Sequence, residues 1–314
     1  MFRSRRTRSR SARRCEKDAH HHGLVIGAAF LLLAGVFKTA WAVHPPTPAP
    51  RPSTLVATKW PGRLNTGPPR GVSLRPYLGP CSITTAGTVI DAARITCDLV
   101  IRAKDVRITR SALIGRVVSD GEGSVELIDS SVYGGAQDTF PTIGQQNITL
   151  VRADVSGGQH SIQCQANCLI VDSWLHDQAQ PSKGSHQNAF ISNGGQRFTL
   201  RHNTLACSVV PHPEGGGCTA DVSLFGDFSA IADVVMEGNL FVANDHGFGY
   251  CAQLGDNPGK RFPVATGVVM RNNVFLRGQA GHCGLYGPVT AFGSDSQGNV
   301  WSGNTWSDGS PLTP

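Results

Sequence analysis

The segment "MRNNVF" (residues 270–275) carries the pattern that decides the fold of this 314-residue chain. An apolar residue is followed by two variable residues, a small residue or Asn, one variable residue and a second apolar residue. Apolar residues at every second place are typical of a strand with one buried face, so the segment predicts two short strands that meet at a bend. Seven further segments obey the same rule, with starts 19 to 36 residues apart: ITRSAL (108–113), LIDSSV (127–132), LVRADV (150–155), IVDSWL (170–175), LRHNTL (200–205), MEGNLF (236–241) and WSGNTW (301–306).

The fourth position of the repeat is Asn in the last four segments, at Asn203, Asn239, Asn273 and Asn304. Asn tolerates the left-handed backbone region, so we expect the bend to lie at this residue. Identical side chains at one place in successive repeats also predict a stack. In such a stack the amides would hydrogen-bond to one another as a ladder.

A unit of about 20 residues with a strand, a bend and a second strand is one coil of a parallel β-solenoid, in which stacking buries a continuous core. The longer spacing of the later repeats predicts insertions on the outside of the coils. Helical patterns longer than about two turns are nearly absent after residue 43, which argues against α/β folds.

The N-terminal 42 residues are typical of an export signal or a membrane anchor. An Arg-rich segment precedes an apolar run at 24–37, which suits a signal peptide and is short for a spanning helix. Ala40-Trp41-Ala42 fits a cleavage site, whereas the long basic segment is equally compatible with an uncleaved anchor. Either way we expect the remainder to be exported, extracellular or held at the outer face of the membrane, with Pro-rich residues 43–59 as a stiff linker.

The net charge of +6 comes from this leader. Residues 1–42 hold nine of the 28 Lys and Arg and two of the 22 acids, so the remaining chain carries 19 basic and 20 acidic residues. A domain without basic excess lacks the electrostatic footprint of a nucleic-acid-binding protein, and we expect no nucleic-acid partner.

Nine cysteines occur, and Cys15 lies in the leader. The even set that remains, beyond an export signal, predicts disulfides. Eight cysteines allow 105 connectivities, and we choose pairing between neighbours: Cys81–Cys97, Cys164–Cys168, Cys207–Cys218 and Cys251–Cys283. A metal site is the weaker alternative because no two CxxC pairs occur and the His residues are irregularly spaced.

The chain resembles the right-handed parallel β-helix proteins of the pectate-lyase-like superfamily, and in particular the exported β-helix repeat proteins common in actinobacteria. The resemblance runs from "GRLNTGPP" (62–69) and "TTAGTVIDAARIT" (84–96) through the Asn-bearing coils to "GNVWSGNTW" (298–306). It implies an all-β fold, a right-handed parallel β-helix of about ten coils spanning residues 60–314. It does not imply one activity, because this fold carries lyases, hydrolases, epimerases, esterases and adhesins.

Three catalytic templates of such proteins can be compared with the residues present. Polygalacturonases use clustered Asp with His, but the row before the strands here, His160, Asn188, Asp221 and His246, offers one carboxylate. Pectate lyases use carboxylate-bound calcium and an Arg base, but no acidic cluster is dense enough for calcium, and we predict no metal and no cofactor. Alginate epimerases share a faint likeness to "NDHGF" (244–248), although their Asp-Pro-His motif is absent.

The stretch "GSHQNAFISNGG" (184–195) provides the main candidate. His186 precedes Asn188 where related β-helix proteins carry His-x-Asp, and Asn keeps hydrogen bonding without proton transfer. We choose His186 for proton transfer, with His160, Asp221 and His246 shaping the site on neighbouring coils. Substrate binding is assigned to Asn188, Arg197, Arg201 and Tyr250. The alternative is that these His and Asn residues, with His176 and His202, only satisfy turns.

Together these features predict an exported monomer that binds or processes an extracellular polysaccharide, for which a uronic-acid polymer is one candidate. The reaction would be that of a lyase, an epimerase or a hydrolase. A non-catalytic cell-wall or carbohydrate-binding protein and a structural surface protein are the alternatives. The N-terminal segment would bind the membrane if it stays uncleaved.

Overall fold

The computed structural model describes residues 59–314, so the predicted leader and all but the last residue of the linker lie outside the described residues. Within 59–314 no helix is long and apolar enough to cross a membrane. The described chain winds repeatedly through three parallel sheets, which we call A, B and C. Each turn of the chain passes from B to C to A. The prediction of an all-β, right-handed parallel β-helix is therefore confirmed.

The strands are short, and each pairs in parallel with the strand one coil away. Sheet A contains ten strands: β1 (Arg75–Pro76), β4 (Ala93–Ile95), β7 (Ala112–Ile114), β10 (Ser131–Tyr133), β13 (Asp154–Ser156), β16 (Trp174–Leu175), β19 (Thr204–Ala206), β22 (Leu240–Val242), β25 (Val274–Phe275) and β28 (Thr305–Trp306). Sheet B contains nine: β2 (Ser82–Ile83), β5 (Leu99–Ile101), β8 (Val117–Ser119), β11 (Ile143–Gly144), β14 (His160–Gln163), β17 (His186–Ser192), β20 (Gly217–Leu224), β23 (Tyr250–Leu254) and β26 (Gly287–Thr290). Sheet C contains nine: β3 (Val89–Asp91), β6 (Val106–Thr109), β9 (Val125–Ile128), β12 (Gln146–Val151), β15 (Ala166–Val171), β18 (Gly195–Arg201), β21 (Ile231–Glu237), β24 (Thr266–Arg271) and β27 (Val300–Ser302).

The core consists of apolar columns that run along the helix axis. In sheet B, Ile162, Phe190, Val222 and Ala252 are in register and fully buried. In sheet A, Phe241 and Phe275 occupy paired positions and their rings stack at 4.3 Å with an interplanar angle of 3°. A residue two places along a strand returns to the same face. The period-two pattern of the repeat therefore becomes a continuous core once the coils stack.

The corner between sheets C and A, which we call the tight corner, takes only two residues in each coil from 110–111 to 303–304. The sequence prediction that Asn adopts the left-handed conformation there was wrong. The residue before it does so instead, as at His202 (φ 51°), Gly238 (φ 62°) and Asn272 (φ 54°). This first residue of the corner is not buried, and its identity varies among Arg, Asp, His, Gly and Asn. Such variation is possible because the backbones of the stacked neighbouring coils hold each bend in place.

The second residue of the tight corner points inward and forms the ladder that was predicted. The Asn203 amide donates to Asn239 Oδ1 at 3.0 Å, Asn239 donates to Asn273 Oδ1 at 3.0 Å, and Asn273 donates to Asn304 Oδ1 at 2.9 Å. The same oxygens accept backbone N–H groups of the preceding coil. All four side chains are buried, so the ladder satisfies polar groups that no solvent reaches.

The other two corners are longer. The passage from A to B, which we call the long-loop side, includes loops at 134–142, 176–185, 207–216, 243–249 and 276–286. The passage from B to C, which we call the turn side, includes turns at 164–165, 193–194, 225–230 and 255–265. The predicted insertions thus lie on both sides of sheet B. We call these two borders, the long-loop side and the turn side, the rims of sheet B.

Four disulfides join the described cysteines in the neighbour pairing that we chose. Cys207–Cys218 closes one loop of the long-loop side, and Cys251 ties β23 to Cys283 in the last of these loops. The cross-links fit a protein of an oxidising compartment, as expected for an exported chain.

Candidate functional site

The candidate site lies where the loops of the long-loop side meet the first residues of the strands of sheet B. His186 is the first residue of β17, and its imidazole is exposed. His246 lies in the loop at 243–249 and is exposed as well. The hydrogen bond from His246 N–H to Asn244 Oδ1 (2.6 Å) shapes this loop, and the buried Asn244 amide donates to Cys207 O at 2.7 Å.

His186 and His246 line one cavity of about 210 Å³, which we call the His cavity. The structure thus brings together two residues that are 60 positions apart in the sequence. The walls come from two loops, 207–216 and 243–249, and from the first residues of β17 and β20. They are mostly apolar or backbone, and the lining residues are the following: His186, Val209, Pro211, Gly216, Gly217, Cys218, Asn244, His246, Gly247 and Phe248.

His160 and Asn188 lie next to the His cavity but beneath the surface. They are paired positions of β14 and β17, and the Asn188 amide nitrogen lies 3.2 Å from His160 Nδ1. Ser223 Oγ donates to Asn188 Oδ1 at 2.5 Å. Asn188 is fully buried with both ends of its amide engaged, so the site residue that was assigned to substrate binding supports its neighbours in this structure.

Burial lowers the pKa of His160 to about 4, and the nearby His186 adds to this effect. His160 is therefore neutral over the physiological range. A neutral ring presents one acceptor nitrogen and one N–H, and the contact with Asn188 makes Nδ1 the acceptor. The remaining proton is on Nε2. Because His160 is neutral, no buried positive charge lies next to His186.

Asp221 lies on the strand next to β17 but has no solvent exposure. Its Oδ1 accepts Cys207 N–H at 2.8 Å, and Oδ2 has no hydrogen-bond partner among the described residues. Burial raises the pKa of this carboxyl well above its usual value, against the opposing effect of N–H groups of Cys207 and Val242. Asp221 is not part of the lining of the His cavity. Through its hydrogen bond with Cys207 N–H, Asp221 connects the loop at 207–216 to β20 of sheet B.

One group of described residues places three metal-ligating atoms close together, at Asp221, Cys251 and Cys283. The two cysteines form a disulfide, which removes both thiolates as ligands. The His cavity itself is lined by two imidazoles and no carboxylate. Neither arrangement provides the oxygen ligands that calcium requires.

The two arginines lie on a different face. Arg197 is an exposed residue of β18 in sheet C, and its Nε donates to Asn167 Oδ1 at 2.5 Å. Arg201 ends the same strand and lies 3.3 Å from a carboxylate oxygen of Glu237. Arg197 lines a separate depression with Lys104 and Glu122, away from His186. The structure does not bring these two residues together with the His cavity.

Tyr250, the first residue of β23, follows directly on the loop that carries His246. Its ring lies 6.0 Å from that of Tyr286, and it pairs with Gly287 of the last coil. Phe248, two residues earlier, lines the His cavity. Tyr250 therefore follows a loop that lines the cavity but does not itself line it.

Sequence reasoning missed that Asp154 contacts His176 from the neighbouring coil. His176 Nε2 contacts Asp154 Oδ1 and Nδ1 contacts Asp177 Oδ2, each at 2.8 Å, while the ring stacks on Trp174 at 3.3 Å. The signal was the spacing of Asp154 and Trp174 in consecutive repeats, "LVRADV" and "IVDSWL", which places them side by side in sheet A.

A comparison of the chain with protein-family models, with curated proteins and with solved structures returned no match. The geometry of the site is therefore the basis for any functional proposal.

The chemistry available in the His cavity is limited by its lining. Hydrolysis of a glycosidic bond ordinarily needs two carboxyl groups, and the cavity has none. Two exposed imidazoles can donate and accept hydrogen bonds, carry positive charge on protonation and transfer a proton. These properties suit the binding of an anionic or hydroxyl-rich ligand and the movement of a proton on it.

Proposed function

We propose that this chain is an exported β-helix protein of the pectate-lyase-like type that binds an extracellular polysaccharide at the His cavity. The observation that carries the proposal is that His186 and His246, from different coils, line one cavity at the edge of sheet B. A stacked sheet repeats its side chains about every 4.8 Å, which suits a ligand that is itself a polymer.

A uronic-acid polymer is the substrate class that we favour. Its carboxylates would interact with imidazolium groups, and its ring hydroxyls with the Asn244 and backbone groups of the surrounding loops. Strong fixed cations are absent from the cavity lining. His186 and His246 are therefore the side chains of the lining that would donate hydrogen bonds to the polymer's carboxylates.

Turnover is the second candidate function, and the specific observation in its favour is the exposed position of His186 in the cavity. As a base, His186 would take the C5 proton of a uronic-acid residue. In a lyase reaction the C4–O4 bond of the 4-linked sugar would then break, the leaving oxygen would take up a proton from water, and an unsaturated product would form. In an epimerase reaction, water on the opposite face would instead donate a proton to C5, and His186 would release its proton to solvent. His246 would hold the substrate carboxylate.

The test is a binding and turnover assay of the purified exported chain with polygalacturonate, alginate and glucuronan. Binding is measured by affinity electrophoresis, and unsaturated products by ultraviolet absorbance. We expect His186→Ala and His246→Ala each to weaken binding at least tenfold. The matched control is His282→Ala, an exposed histidine of another loop that contacts Leu285 O and does not line the cavity.

Binding of none of these polymers, or equal binding by wild type and both cavity variants, would overturn the proposal. Binding without product, lost in His186→Ala, would favour a carbohydrate-binding protein over a lyase. Product formation that His186→Ala abolishes would establish turnover. Equal turnover in that variant would remove His186 from the reaction.

A further inference from the structure

A second cavity lies at the opposite end of β17. That strand begins at His186 on the long-loop side and ends at Ser192, where the turn "NGG" (193–195) follows. The cavity at this turn has a volume of about 350 Å³, and we call it the amide cavity. It is formed by the following residues: Gln146, Gln163, Gln165, Ala166, Asn193, Gly194, Phe228 and Ser229.

Two glycines of the turn allow three successive coils to approach closely here. A Cβ on Gly194 (φ 133°) would lie 2.5 Å from Ser229 N, and one on Gly195 (φ 150°) would lie 1.9 Å from Gln165 O. Any other residue would clash with backbone and would strain the positive φ. These two glycines thus let the coils that carry Gln165 and Ser229, both residues of the cavity lining, stack against the "NGG" stretch without a backbone clash.

The lining contains no charged side chain. Gln163 and Asn193 have no side-chain hydrogen-bond partner within residues 59–314, so each presents both the oxygen and the NH₂ group of its amide. Gln165 Nε2 donates to Gln145 Oε1 at 2.7 Å, which fixes this amide along the stack. Adjacent amides on a rigid backbone match paired hydroxyl groups, which also donate and accept.

Phe228 provides an apolar surface on the same cavity. Its side chain is 78% exposed, and its backbone N–H donates to Asn193 O at 2.9 Å, which holds the two turns together. A single exposed ring is common on protein surfaces, and what distinguishes Phe228 is that it lines the same cavity as the amides of Gln163 and Asn193. The face of such a ring suits the C–H face of a sugar, because the ring carries negative charge density there.

We propose that the amide cavity is a subsite for an uncharged sugar residue. The cavity volume lies within the range of about 300 to 1,000 Å³ typical of small-molecule sites. The absence of cations from the lining argues against a carboxylate or sulfate at this position, since nothing there would compensate the charge. This inference rests on the proposed polysaccharide function and adds that the polymer carries neutral as well as acidic residues.

The two cavities lie roughly 20 Å apart, because β17 has seven residues and a strand rises about 3.3 Å per residue. A single sugar cannot fill both. A heteropolysaccharide segment of several sugars could place an acidic residue at His186 and a neutral one at Phe228, across sheet B.

The experiment is isothermal titration of the exported chain with neutral oligosaccharides, namely β-glucan, mannan and galactan hexamers, and with a uronate hexamer. The variants are Phe228→Ala and the double variant Gln163→Ala/Asn193→Ala. The control is Phe140→Ala, which removes an exposed aromatic ring on the long-loop side. We expect at least one neutral hexamer to bind, with the dissociation constant raised tenfold or more in both cavity variants and unchanged in the control.

Equal binding of the neutral hexamer by wild type and both variants, at unchanged melting temperature, would overturn the subsite. Binding of the uronate hexamer alone would overturn the subsite and leave the proposed function standing. Failure of every hexamer and every polymer to bind would overturn both the subsite and the proposed polysaccharide function. Loss of neutral binding in His186→Ala but not in Phe228→Ala would move the neutral sugar to the His cavity and so contradict this inference.

Discussion

The tight corner and the long-loop side connect the same stacked strands in opposite ways. At the tight corner each coil from 110–111 to 303–304 uses two residues, and from Asn203 to Asn304 the same inward-facing side chain makes the same hydrogen bonds. On the long-loop side each loop differs in length and content, and contacts such as Asp221 to Cys207 N–H occur once. The repeated contacts of the tight corner therefore stabilise the stack of coils, whereas the unequal loops of the long-loop side give the surface the variety of shape that a binding site needs.

The largest effect on stability is expected at the tight corner, from Asn239→Ala. This side chain donates to Leu200 O and Asn273 Oδ1 and accepts from the backbone and amide of Asn203. Its removal leaves buried partners unsatisfied, and we expect the free energy of unfolding to fall by about 3 to 5 kcal/mol in urea titrations.

Asn239→Ser is the matched control for that substitution. Ser occupies the same place at Ser111, Ser130 and Ser173, where its Oγ accepts or donates backbone hydrogen bonds. The Ser variant should recover part of the loss. Equal stability of Asn239→Ala and wild type would contradict a structural ladder.

The next effect is linked to pH and arises below the His cavity, at His160. Its pKa of about 4 in the folded state lies below the unfolded value of about 6.5, so the stabilisation is complete above pH 6.5 and is lost as the pH falls through 4. The unfolding free energy of wild type relative to His160→Gln should fall by about 3 kcal/mol between pH 7 and pH 4. A difference that does not vary with pH would show that His160 is not buried as a neutral ring.

Asp221 should show the opposite slope. Its folded pKa is raised, so the protonated carboxyl stabilises the fold most below its unfolded pKa, and that contribution is lost as the pH rises through the folded pKa. Asp221→Asn keeps an acceptor for Cys207 N–H without a titrating group. We expect the variant to gain stability over wild type as the pH rises from 5 to 9, measured by thermal unfolding. A gain at acid pH would refute a protonated Asp221.

The smallest effect on stability is expected from His186→Ala at the rim. The side chain is exposed and makes no hydrogen bond to the described residues, so its loss should change the unfolding free energy by less than about 0.5 kcal/mol. The same substitution should weaken polysaccharide binding at least tenfold. A loss of stability as large as that of Asn239→Ala would make His186 a structural residue and break the distinction between the two regions.

The neighbour pairing of the cysteines, which the structure confirms, was a choice among 105 connectivities. The sequence did predict the repeat, the solenoid and the amide ladder, because each of these follows from a regularity along the chain. It misplaced the left-handed residue by one position. Propensity pointed to Asn203, yet the bend is at His202, since stacked neighbours fix the backbone whatever the side chain.

Less of the site could be predicted. His186 and His246 line one cavity because two loops of unequal length, 207–216 and 243–249, lie beside the first residues of β17 and β20, and the spacing in the sequence does not reveal that. Asp221 was expected in one row with His160 and Asn188 before the strands, but it lies within β20, and Ala220 is the residue in register with Asn188. Asp221 accepts a hydrogen bond from Cys207 N–H, in the loop closed by Cys207 and Cys218. Arg197 lies on sheet C because the "NGG" turn ends the strand of sheet B before it. The roles assigned to these residues remain predictions.

Hydrogen–deuterium exchange of this chain with and without polygalacturonate, alginate or glucuronan tests most directly the proposal that recognition takes place at the rims of sheet B. The account predicts slower exchange in peptides covering 184–188, 209–218 and 244–248, with unchanged exchange at the tight corner, residues 202–203 and 238–239. Protection confined to the outer face of sheet C, around Arg107, Glu126 and Thr149, where a depression of about 360 Å³ lies, would contradict it.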